Sequence, residues 1–253
     1  GLFERDIAGV AATLEWTVGD IAVTSVTDYL TMNKEYFDDT EASPFRQADY
    51  FTGQNFHQFS QELRASWESG PARWTVGGYF LDIDNNVASG VIPEDIGPLV
   101  GAPPDVVLFD SRQHSQIDSL SWALFGHLEY TLTEQWSVTG AVRYTSDERE
   151  MGFRLEDNFG TLQRFNKTLF PGLAEQDFGN VSAKAQVDWR PRDDLLVYAS
   201  WSRGHKAGNF AAPFVGPLAD FSILPHDEEV LTSVEGGVKS TLFDGRAQLI
   251  HVI

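Results

Sequence analysis

The stretch LLVYASWSRGHKAGNF, residues 195 to 210, decides how the chain is read. Leu196, Tyr198, Ser200 and Ser202 share one side of a two-residue period, and Val197, Ala199 and Trp201 the other. That period, with β-branched and aromatic residues, predicts a strand. A tight turn at Pro191 to Asp194 precedes it, and Gly204, Gly208 and Asn209 break the pattern into a long polar loop.

Outward from this unit the same plan recurs. Val181 to Arg190 alternates Val181, Ala183, Ala185, Val187 and Trp189 against Ser182, Lys184, Gln186, Asp188 and Arg190. Further runs are predicted over 8–16, 21–30, 56–68, 73–83, 120–131, 136–147 and 230–241, and from Arg246 to the end. About ten strands in five hairpins result. About four residues join the strands within a hairpin, whereas roughly 25–35 separate one hairpin from the next, far above ordinary loop lengths.

A soluble sandwich has short loops at both ends. Short turns at one end and long loops at the other belong to a transmembrane β-barrel, with turns in the periplasm and loops outside the cell. The predicted fold class is therefore all-β, an antiparallel meander of a transmembrane barrel. Trp67, Trp74, Trp122, Tyr130, Trp136, Tyr144 and Trp189 fall near strand ends, where interfacial girdles need them.

The totals agree. A net charge of -19 repels nucleic-acid phosphates, so no nucleic-acid partner is expected. Without Cys, neither a disulfide framework nor a Cys-based metal site can form. The most apolar window, Phe210 to Pro225, falls short of the ~18 apolar residues of a membrane helix, although barrel strands need only about 9–11. No nucleophile elbow, phosphate loop or dinucleotide fingerprint occurs, and no cofactor or enzymatic activity is expected.

Tyr198-Ala-Ser-Trp-Ser-Arg-Gly-His-Lys-Ala-Gly-Asn-Phe210 resembles the barrel of TonB-dependent outer-membrane receptors. Glu228 to Ser240 is similar to the family's PE-x-L-x-S-x-E-x-G-x-K-S strand, without its Pro, and Gln61 to Arg64 to its QELR strand. Phe125 to Tyr130 and Thr139 to Tyr144 resemble the paired strands FGxxxY and TxGxRY. The motifs follow in family order, so residues 1–253 are read as a partial TonB-dependent receptor-like barrel domain.

The resemblance implies a 22-stranded barrel with an N-terminal plug, of which this chain supplies about ten strands. It also implies active uptake of a scarce nutrient such as an iron-siderophore complex, powered by the TonB-ExbB-ExbD system acting through the plug. The location would be the outer membrane of a Gram-negative bacterium, among outer-membrane lipid and lipopolysaccharide. The alternatives are a passive porin-like channel, a ten-stranded outer-membrane enzyme or a soluble glycan-binding β-protein. The chain begins Gly-Leu-Phe-Glu-Arg without Met or a signal peptide, and is expected to be a fragment.

Two residue sets are candidate sites. Arg203, His205, Lys206 and Asn209 would stand at the extracellular rim and meet an anionic ligand, or else order their loop. Arg64, Glu129, Arg143, Lys184, Asp188, Glu235 and Lys239 would face the lumen as a wet, salt-bridged wall. Asp82-x-Asp84-Asn85-Asn86 has the start of a calcium loop without its Gly or its bidentate Glu, and no metal is expected.

Overall fold

The computed structural model describes residues 1–39, 48–93, 109–159, 165–167, 174–211, 224–243 and 245–253. The strands in chain order are β1 (Leu2–Val18), β2 (Ile21–Asp39), β3 (Ala48–Ser69), β4 (Ala72–Pro93), β5 (Phe109–Thr131) and β6 (Trp136–Phe159). They continue with β7 (Phe165–Lys167), β8 (Ala174–Arg192), β9 (Leu195–Lys206), β10 (Asn209–Ala211), β11 (Leu224–His226), β12 (Glu229–Leu242) and β13 (Ala247–Val252). One antiparallel sheet runs β1-β2-β3-β4-β5-β6-β8-β9-β12-β13, with β7 on β6 and β10-β11 apart. This is the expected ten-strand meander. It is open, since β1 and β13 each have one neighbour.

The tight turns follow from backbone chemistry. Val18 pairs with Ile21 across Gly19-Asp20, and Ser69 with Ala72 across Gly70-Pro71. Gly19 (φ 61°) and Gly70 (φ 57°) supply the positive φ that a two-residue hairpin needs at its first position. Between β5 and β6, the Thr133 Oγ1 accepts from the backbone N–H groups of Gln135 and Trp136 at 3.2 and 3.1 Å.

The strands are far longer than alternation predicts. The region 84–116, expected as a loop, is strand to Pro93 and again from Phe109, and the region 148–180 is strand to Phe159 and from Ala174. The acidic stretch after Leu30 likewise continues β2 to Asp39. A 23-residue strand is about 75–80 Å long, whereas a bilayer needs about 9–11 residues. Beyond the membrane both faces are wet, so the two-residue period fades while the backbone ladder continues. Asp82 to Asn86 lies within β4, so the chain there is extended and does not turn round an ion.

Register fixes the faces, because directly paired residues point the same way. One row reads Trp67, Trp74, Leu128, Gly140, Ala185, Trp201, Val234 across seven strands. The row beside it, on the other face, reads Glu68, Arg73, Glu129, Thr139, Gln186, Ser200, Glu235. Burial inverts the soluble rule. Leu124, Val142 and Val234 on the apolar face are 62, 54 and 77% exposed, whereas Ser121, Thr145 and Asp147 on the polar face are each 7% exposed. Such a sheet is stable only where an apolar medium covers its apolar face.

Aromatic residues bound that apolar face. Toward the short turns, Trp67 stacks on Trp74 (6.1 Å) and Trp136 on Trp189 (5.7 Å). Toward the long connections lie Phe59 against Phe80 (6.2 Å) and Trp122 against Tyr144 (5.6 Å). The two levels are about 20–27 Å apart along the strands, the height of a barrel's lipid-facing band.

Candidate functional site: the inner wall and its rim

The polar face is built by alternate residues of β3 to β12. Pairing puts Arg64, Glu129, Arg143, Lys184, Asp188, Glu235 and Lys239 all on it. Part of this set is locally paired. Arg73 bridges Glu68 (3.0 Å) and Glu129 (3.2 Å), and Arg64 meets Glu62 at 3.3 Å. Asp188 accepts from Gln186 (2.9 Å), and Glu235 from the Tyr198 hydroxyl (2.5 Å). Such exposed ion pairs are screened by solvent and add little to stability, so their service is to hold side chains in place.

Aromatic residues that alternation alone did not single out shape this wall. Phe125 fills the space over Gly77, and Tyr198 that over Gly237. Arg143 lies over the rings of Tyr79 (5.5 Å) and Phe125 (5.8 Å), and Lys239 over Tyr198 (5.3 Å). The signal was in the sequence: each aromatic sits on the polar side of its strand, where a lipid anchor is not needed. A cavity of about 660 Å³ opens here, lined among others by Arg64, His127, Arg143, Lys184 and Leu231.

The four rim candidates do not converge on one point. Register puts Arg203 on the face of Trp201 and Ala199, and its guanidinium donates to the Val181 carbonyl at 2.6 Å. Pairing of β8 with β9 ends at Ala183 and Arg203, and beyond it His205 is held by polar-face side chains. Its Nδ1 lies 3.0 Å from Ser182 Oγ and its Nε2 3.9 Å from Asp147 Oδ2. Lys206 pairs with Glu229 at 3.7 Å in solvent, and Asn209 Oδ1 accepts from the Phe210 N–H at 2.9 Å. Each of these four side chains thus has a partner within the chain.

The apolar face changes character beyond the upper aromatic level. Asp82, Asp84, Asp118, Glu148, Glu150, Glu175 and Asp177 continue it on neighbouring strands. Burial pushes the Asp118 carboxyl above its usual range, opposed by a hydrogen bond from Gln116 (2.8 Å) and reinforced by Asp84 and Asp82. Desolvation raises Glu150 likewise, helped by Glu175, Glu148 and Asp118. Among the described residues no group of three or more His, Asp or Glu has metal-holding geometry.

Comparison with known proteins locates this architecture. The sequence pattern of the family described as TonB dependent receptor-like, beta-barrel matches residues 3–250. The ferric yersiniabactin uptake receptor FyuA from Yersinia pestis superposes with a TM-score of 0.71 at 16% identity, covering 94% of this chain and 34% of that one. The siderophore receptor PiuA from Acinetobacter baumannii gives 0.66 at 15%, covering 99% and 39%. The chain therefore spans little more than a third of the length of these receptors. No curated protein matches the sequence.

Proposed function

The chain belongs to the TonB-dependent receptor β-barrel family, and from that premise we propose that it forms part of the wall of a receptor for active uptake of a scarce small-molecule nutrient. The family is one of outer-membrane transport receptors of Gram-negative bacteria, so the chain is an outer-membrane barrel segment and not an enzyme. The observation that carries the reading is the inverted sheet: an exposed apolar face between two aromatic levels and a polar, partly buried opposite face.

In this reading the apolar face meets outer-membrane lipid, and the acidic row above it meets lipopolysaccharide headgroups with their divalent cations. The polar face lines the passage, with Arg64, Glu129, Arg143, Lys184, Asp188, Glu235 and Lys239 on the lumen. Arg203, His205, Lys206 and Asn209 order the extracellular exit of β9 near the ligand's entry. The ligand class proposed is an iron-siderophore complex, in line with one similar structure being a ferric yersiniabactin uptake receptor and the other a siderophore receptor, and energy comes from TonB-ExbB-ExbD. The test is ligand uptake by cells that carry the full-length receptor, with and without TonB. Loss of uptake without TonB is expected; uptake that persists would make the protein a passive channel.

A further inference from the structure

The outward face of the sheet continues past the acidic row. Directly paired Asn33, Asn55, Asn86 and Gln116 form the next row away from the membrane, on β2 to β5. They lie four residues beyond Phe59 and six beyond Phe80 and Trp122, about 13–20 Å along the strands above the upper aromatic level. Asn55 Nδ2 donates to Asn33 Oδ1 at 2.6 Å, Asn86 Nδ2 to Asp84 Oδ1, and Gln116 Nε2 to Asp118 Oδ2 at 2.8 Å. These bonds hold the amides in place. The row after it is almost bare in its middle: Gly53 pairs with Ala88, and a Cβ added to Gly53 would meet no atom closer than 3.9 Å. A cavity of about 800 Å³ opens over this floor, with the amides along one side.

The chemistry of this groove fits a saccharide. A primary amide offers donors and an acceptor side by side, as neighbouring sugar hydroxyls do. Four amides in register span about 14 Å across the strands, which suits a chain of sugars better than a single ring. Glu35 and Arg154 stand at opposite ends of the Gly53–Ala88 row, so the charges within the groove offset each other. The acidic row beneath repels anions, and a neutral ligand is favoured. Asp118 Oδ1, beside Gln116, is buried without a hydrogen-bond partner among the described residues, and a ligand hydroxyl would satisfy it. Position decides the source, because the groove faces outward above the lipid-facing band, where the sugars of the outer leaflet surround a barrel. We infer that Asn33, Asn55, Asn86 and Gln116 line a saccharide-binding groove, which holds neutral core sugars of lipopolysaccharide against the outside of the barrel. The inference rests on the apolar face meeting outer-membrane lipid, since that sets the height of the groove.

The experiment uses the full-length receptor in phospholipid nanodiscs, titrated with two lipopolysaccharides and read by native mass spectrometry. One carries its complete core; the other is a deep-rough form without the neutral core sugars. Wild type is compared with Asn55→Ala/Asn86→Ala, which removes two amides, and with Ala88→Trp, which fills the groove from its floor. Arg192→Gln is the control at the opposite turn, where Arg192 meets Asp194 at 3.3 Å. Wild type and control should bind the core-bearing form about tenfold more tightly than the deep-rough form, as a few neutral hydrogen bonds entail. Both groove variants should lose that preference and bind the deep-rough form as wild type does. A wild type without the preference, or a preference that survives both variants, overturns the inference. Equal binding of the two forms would sink the groove alone, whereas binding of neither would sink the lipid-facing reading with it.

Discussion

Phe125 occupies the space over Gly77 that the Cβ of any other residue would fill. The two are directly paired across β4 and β5, and a Cβ on Gly77 would also come within 2.7 Å of the Leu63 carbonyl oxygen. The Phe125 ring in turn carries Arg143 at 5.8 Å. A missing side chain on β4 therefore positions a cation two strands away, on β6.

Gly77→Ala is expected to destabilise the full-length receptor by about 1–3 kcal/mol through overpacking, read by denaturant unfolding in detergent. Shrinking the ring with Phe125→Leu in the same molecule should recover part of the loss. A neutral Gly77→Ala would contradict the packing described.

The stacked indoles of Trp136 and Trp189 should couple by about 0.5–1.5 kcal/mol in a double-mutant cycle with alanine. Additive single substitutions would mean that the pair anchors the strands to the membrane interface independently.

Face assignment makes an asymmetric prediction. Val142→Arg puts a charge on the apolar face and should cost about 2–4 kcal/mol near the bilayer midplane. Ser200→Arg, on the polar row beside Gln186 and Glu235, should cost little. Equal costs at the two sites would remove the distinction between faces.

The acidic row gives a pH dependence. Folding raises the Asp118 and Glu150 carboxyls above their unfolded range. Between the unfolded and the folded titration ranges the folded chain holds the extra protons, so their stabilisation is complete below the unfolded range and is lost as pH rises through the folded one. The melting temperature of the receptor should therefore increase on mild acidification. Asp118→Asn should be stabilising at neutral pH and should flatten that increase. An unchanged slope would contradict the crowding of these carboxylates.

Alternation made the membrane-crossing part of the fold readable, because between the aromatic levels each side of a strand meets a different medium. Trp136 to Asp147 shows it: Val138, Gly140, Val142 and Tyr144 fall on the apolar face, and Thr139, Ala141 and Arg143 opposite. Beyond Leu120 or Ser146 that contrast ends, so the extracellular reach of β4, β5 and β6 stayed hidden although their ladders are unbroken. The inner charges were legible for the same reason as the strands. The partners of His205 were not, since Ser182 and Asp147 reach it only once the pairing of β8 and β9 has ended.

The central claim is that one face of this sheet meets lipid and the other a water-filled passage. These 253 residues contain no Cys, so single cysteines can be placed at 138 to 144 of β6 in the full-length receptor in native membranes. The account predicts that 139, 141 and 143 react with a membrane-impermeant thiol reagent, and that 138, 140, 142 and 144 react only with a lipid-soluble one. Uniform reaction with the impermeant reagent along the strand would contradict it.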